Sequence, residues 1–172
     1  MYSWTINYGT NQEWKNNAVI ILPNQGEEFQ SHGNKLTVIV PSTVTDNQFG
    51  LYNIEMEPNA RGPKLHYHKQ MDETFIVREG VLTVLTSKGE VKAEPGTVIY
   101  IPKLSVHGYN NDSDNKVKLT MIFNPGLYRE DFFRKMYQML DDDPTNLEAF
   151  QQLYKEHDSY PVDNTDMIPM QR

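Results

Sequence analysis

Gly62-Pro63-Lys64-Leu65-His66-Tyr67-His68-Lys69-Gln70-Met71-Asp72-Glu73 is the stretch on which the reading of this chain turns. Two histidines stand two positions apart in it, and a carboxylate closes it. Side chains two apart on a strand point to the same face, so His66 and His68 aim their imidazoles at one place. Glu73 opens the next apolar segment, and His107 follows a later one. In an antiparallel fold both can return across the sheet and complete a site of three imidazoles and one carboxylate.

Outward from this stretch, short apolar segments recur between turn signals at residues 18–22, 36–40, 51–56, 73–78, 81–86, 98–102 and 117–123. Most read as strands, and several alternate with period two, as in a sandwich or barrel with one buried face per strand. Arg78-Glu79-Gly80 and Ser87-Lys88-Gly89-Glu90 are short polar links that suit antiparallel hairpins. The expected fold class is therefore all-β.

The pattern changes at Asn124-Pro125-Gly126. Phe132, Phe133, Met136, Tyr137 and Leu140 then form the stripe of an amphipathic helix, interrupted at Asp141-Asp142-Asp143-Pro144. Thr145 with Glu148 has the capping-box pattern of a second helix, which carries Leu147, Phe150, Leu153 and Tyr154 on one side. Residues 127–157 are expected to be a helical hairpin, and the rest an extended tail ordered only if it packs on something. The expected division is a β-barrel with N-terminal strands over 1–126 and a helical extension with tail over 127–172, packed on the barrel or on a partner subunit.

Composition narrows the chemistry. With 172 residues, 38% hydrophobic and 23% charged, the chain suits one ordinary domain. It has no cysteine, so disulfides, thiolate metal sites and cysteine nucleophiles are excluded, and His, Asp and Glu remain as the strong ligands. A net charge of −7 argues against nucleic acid as a partner. The first ten residues, MYSWTINYGT, lack a basic and apolar leader pattern, and the run at 18–22 is too short to span a membrane. A cytoplasmic location and no membrane partner are expected. Asn111-Asp112-Ser113 matches a glycosylation acceptor, but is read as a polar turn.

The spacing of the histidine stretch resembles that of the cupin superfamily. His66-x-His68, four residues, Glu73, six residues, Gly80 is similar to its first motif. Gly96, five residues, Pro102, four residues, His107, three residues, Asn111 is similar to its second. Two departures stand out. Only three residues separate Gly62 from His66 where the family usually has five, and Leu104 takes a place usually held by glycine. The helix with Phe132 and Phe133 is similar to the tail of small single-domain cupins like the quercetin dioxygenases.

The resemblance implies an antiparallel double-stranded β-helix, the jelly-roll or cupin barrel, with a C-terminal α-helical hairpin. It implies that His66, His68, Glu73 and His107 bind one divalent metal ion, which could be Fe, Mn, Ni, Co, Cu or Zn, with Gly80 and Gly96 as turn residues. Three neutral imidazoles and one carboxylate leave such an ion near a net charge of about +1, which favours an anionic or enolisable small-molecule ligand. The expected activity is that of a dioxygenase-like oxidoreductase in which Glu73 also accepts a substrate proton. A non-redox isomerase, epimerase or lyase, or a non-catalytic binding module, is the alternative. Met56, Phe75, Met121 and Phe123 are candidate lining residues. The apolar helical stripe also needs cover, and with the resemblance it suggests a homodimer.

Overall fold

The computed structural model describes residues 18, 20–22 and 25–170. Eleven strands appear among them: β1 (Glu27–Ser31), β2 (Asn34–Val40), β3 (Gly50–Met56), β4 (His66–Tyr67), β5 (Asp72–Glu79), β6 (Leu82–Thr86), β7 (Gly89–Ala93), β8 (Val98–Ile101), β9 (His107–Asn110), β10 (Val117–Asn124) and β11 (Tyr160–Pro161). Two helices, α1 (Arg129–Asp142) and α2 (Leu147–Glu156), lie between β10 and β11. One sheet has the order β1-β2-β3-β10-β5-β8, the other β11-β4-β9-β6-β7. Every strand pair is antiparallel, so the body is the all-β jelly-roll that the sequence pattern requires.

Alternation along single strands builds the interior. In β3, Tyr52, Ile54 and Met56 point inward; in β10, Val117, Leu119, Met121 and Phe123 do so; in β5, Glu73, Phe75 and Val77 follow the same rule. The strands are in register with one another, since Phe75 pairs with Met121 and Glu73 with Phe123. A slip of one residue would turn Glu73 outward and expose Phe75. Gly80 ends β5 at φ +72°, where a side chain would meet the Lys116 carbonyl at 2.4 Å. Glycine alone fits that turn.

Three readings of the sequence change here. Residues 18 and 20–22 join no strand, and Ile20 and Leu22 are 79% and 57% exposed, while Val19 and the decapeptide MYSWTINYGT lie outside the described residues. α1 runs through Asp141 and Asp142 and stops at Asp143. The cap of α2 is Asn146, whose side chain accepts from the Ala149 N–H, whereas Thr145 donates to Asp143. A residue one place nearer the first turn has the better reach to its free amides.

The helical stripe is covered within the chain. Phe132, Phe133, Met136, Tyr137 and Leu140 are buried with the barrel residues, and Phe132, Phe133 and Tyr52 stack in a cluster of edge-on rings. Exposure of this stripe therefore gives no reason for a dimer. The tail packs as well: β11 adds to β4, Asp158 and Ser159 are buried, and Met167 is 1% exposed.

Candidate metal centre

His66 lies on β4 and pairs directly with His107 on β9, so two imidazoles rise side by side from one sheet. His68 follows just after β4, and Glu73 faces these rings from β5 in the opposite sheet. The ring centroids lie 4.4 Å apart for His66 and His107, and 4.9 Å for His66 and His68. One ligand atom from each of the four residues falls within 4.8 Å of all the others. All four side chains are buried, between 2% and 8% exposed.

Three backbone carbonyls set the tautomers. His66 Nδ1 lies 2.8 Å from the Lys64 carbonyl, His68 Nδ1 2.6 Å from that of Asp158, and His107 Nδ1 2.9 Å from that of Ser105. A carbonyl only accepts, so each Nδ1 carries the hydrogen and each neutral ring keeps its lone pair on Nε2. Such carbonyl partners also fix the ring planes, as they do for histidines that ligate metals.

Burial opposes charge on Glu73, yet the hydrogen bond from His107, aided by His68, holds its carboxyl well below the usual carboxylate range. The His107 Nε2 to Glu73 Oε2 distance is 2.7 Å, and Glu73 lifts His107 above its ordinary value against the effect of burial. Burial pushes His66 far down and His68 down. Glu73 thus raises the proton affinity of His107, while burial favours the neutral form of His66 and His68. His68 Nε2, 3.4 Å from Glu73 Oε2, is buried without a hydrogen-bond partner. An orphaned lone pair beside two further imidazoles and an ionised carboxylate is a donor set that fits a divalent cation of the imidazole-binding kind.

The site opens on a cavity of about 50 Å³ lined by Glu73, His66, Met121, Phe123, residues of α1 and the tail residues Pro161, Met167, Pro169 and Met170. Of the expected lining residues, Met121 and Phe123 reach it; Met56 and Phe75 are fully buried outside it, and Phe75 packs edge-on against Tyr109 and His107.

Two contributors escape the sequence reading. Asp158 gives its carbonyl to His68 and its carboxylate to the amides of Lys69 and Gln70, so the tail holds the loop after β4. Arg129 at the start of α1 is 3% exposed on the cavity wall. Its position three and four residues before Phe132 and Phe133 places it on the apolar stripe, a signal the sequence does carry. Burial lowers its pKa to about 10, so it is a cation at neutral pH. The last motif residue, Asn111, is structural: it is 1% exposed and donates to the carbonyls of Met56, Glu57 and Asn115.

Residues 52–123, which contain all four cluster residues, match the cupin domain family. Over that stretch the chain is similar to the cupin superfamily. Over 119 residues, 68% of its length, the chain is 29% identical to quercetin 2,3-dioxygenase of Bacillus subtilis (strain 168). It spans about a third of that relative, 34% of its length. Among solved structures it is similar to a cupin sugar phosphate isomerase from Silicibacter pomeroyi (TM-score 0.50, 24% identity, 55% of this chain and 61% of that one). It is also similar to Streptomyces PAC13 with uridine (TM-score 0.53, 20% identity, 67% of this chain and 88% of that one). These two likenesses show the fold. No helix among the described residues is long and apolar enough to cross a membrane.

Proposed function

We propose that this protein is a metal-dependent oxidoreductase of the dioxygenase kind, acting on a small enolisable or anionic substrate. The observation that carries the proposal is the convergence of His66, His68, Glu73 and His107 with their Nε2 lone pairs and carboxylate at one place. A redox-active ion held there would supply Lewis acidity and one-electron chemistry with O₂. Glu73 is ionised and faces the cavity, so it can accept a hydroxyl proton from substrate as well as bind the ion. Met121, Phe123, Phe132 and Phe133 keep water from the reacting centre. The cavity holds only a few water-sized volumes, so the substrate is smaller than a flavonol unless the tail moves aside.

A second reading rests on Tyr109 and Tyr137, which also line the cavity and whose phenols burial keeps protonated. With a non-redox ion, a tyrosine and Glu73 could move a proton in an isomerisation or dehydration. Oxygen uptake separates the two. The Fe, Mn, Ni and Co forms are to be assayed with small enols and 2-oxo acids in air and under argon. Oxygen-dependent turnover supports the first reading, turnover that persists under argon or with Zn supports the second, and none with any ion contradicts both.

A further inference from the structure

Arg129 lies on the wall of the same cavity as Glu73 and His66. Its terminal nitrogens donate to the His157 carbonyl at 2.7 Å and to Ser159 Oγ at 3.0 Å, while its Nε is buried with no partner. The guanidinium lies flat among aromatic rings, 3.7 Å from the Phe132 centroid and 5.0 Å from that of Phe123. No carboxylate forms an ion pair with it among the described residues. The nearby acids make their direct bonds elsewhere: Glu73, whose charge supports Arg129 within the same cavity, bonds His107, Glu130 bonds Ser42, Thr43 and Tyr52, and Asp158 the amides of residues 69 and 70. Lys64, the other strong base on the cavity wall, is paired with Asp166.

A buried cation with no carboxylate in direct contact is only partly compensated by a charge across the cavity, cation–π contact and two neutral acceptors. A charge kept this way in a cavity is a charge awaiting a ligand. We propose that Arg129 is the anion receptor of the substrate pocket, and that the ligand it selects is a small carboxylate carrying a second oxygen function toward the His66–Glu73 end. This rests on reading the cavity as the substrate site. Phe123 lies between the two ends, with its ring 5.0 Å from the guanidinium and 6.0 Å from the His68 ring. A short acid fits that span. A carboxylate suits the free Nε edge better than a phosphate, whose three charged oxygens would need more donors than one half-engaged guanidinium offers.

The test uses the metal-free protein, so that it is independent of the ion. Acetate, acetamide and inorganic phosphate are titrated while the Arg129 Nε–H resonance is followed by NMR, with acetamide as the neutral match in size. Acetate is expected to shift that resonance saturably and acetamide to leave it in place. Arg129→Lys should bind acetate about tenfold to hundredfold more weakly and Arg129→Gln not measurably, both with metal capacity unchanged. Equal responses to acetate and acetamide, tighter binding of phosphate, or full acetate binding by Arg129→Gln would each overturn the assignment. Should the glutamine variant fail to fold, the acetate and acetamide comparison in the unaltered protein decides alone. A metal-site failure would show in metal content and leave these titrations intact.

Discussion

At the scale of single residues, the site is a set of lone pairs aimed by backbone carbonyls. Glu73 raises the proton affinity of His107, and a divalent ion taking His107 Nε2 competes with a proton there. Calorimetric titration of the metal-free protein with Zn²⁺, in buffers of different ionisation enthalpy, should therefore register net proton release that grows as the pH is lowered. Release should fall in Glu73→Gln, where His107 loses the partner that raises its proton affinity. Leu104 makes a different point. It replaces the usual glycine yet keeps the left-handed backbone at φ +70°, with its amide donating to the His68 carbonyl and its side chain 66% exposed. Leu104→Gly should thus raise stability by about 0.5–1 kcal/mol in urea unfolding with metal content unchanged, because the strain disappears and little packing is lost.

At the scale of elements, α1 is fastened by the residue beside Arg129. Glu130 accepts from Ser42 Oγ, the amides of Ser42 and Thr43, and the Tyr52 hydroxyl, all inside the protein. Removing it leaves several buried donors without an acceptor. Glu130→Ala should cost about 3–5 kcal/mol in chemical denaturation, and Glu130→Gln less, since an amide oxygen still accepts. Six of the seven apolar segments marked in the sequence are strands, because the alternation that reveals a half-buried strand is also what builds the core. β1 and β7 lie outside the marked segments, and β4, β9 and β11 were not legible in that way either. These last three are two to four residues long, and their burial serves imidazoles and tail contacts in place of an apolar stripe. Of the segment at 18–22, which has the composition of a strand, the described residues 18 and 20–22 join none, and composition alone cannot supply a pairing neighbour.

At the scale of the whole molecule, the chain draws its four candidate ligands from both sheets, with the carboxylate on one and the histidines on, or just after, adjacent inner strands of the other. Spacing in the sequence sufficed to bring His66, His68, Glu73 and His107 together on paper, since two short motifs fix two hairpins. It could not show Asp158, whose contact to His68 crosses 90 residues and depends on where the tail comes to rest, whereas Arg129 was legible only as a cation on the apolar stripe. An ion that binds only the folded state stabilises it, by about 4 kcal/mol at a free concentration a thousand times its Kd. Thermal melting of chelated and reloaded protein should show that upward shift, and His66→Ala should erase it while the barrel, held by its strands, stays folded.

The most direct measurement is elemental analysis of protein purified without chelator or nickel resin, set beside His66→Ala and His107→Ala prepared in the same way. One equivalent of a transition metal or zinc per chain, lost sharply in both folded variants, is the predicted result. Unaltered protein that holds no such ion even after incubation with each candidate metal, or variants that retain it in full, would contradict the account.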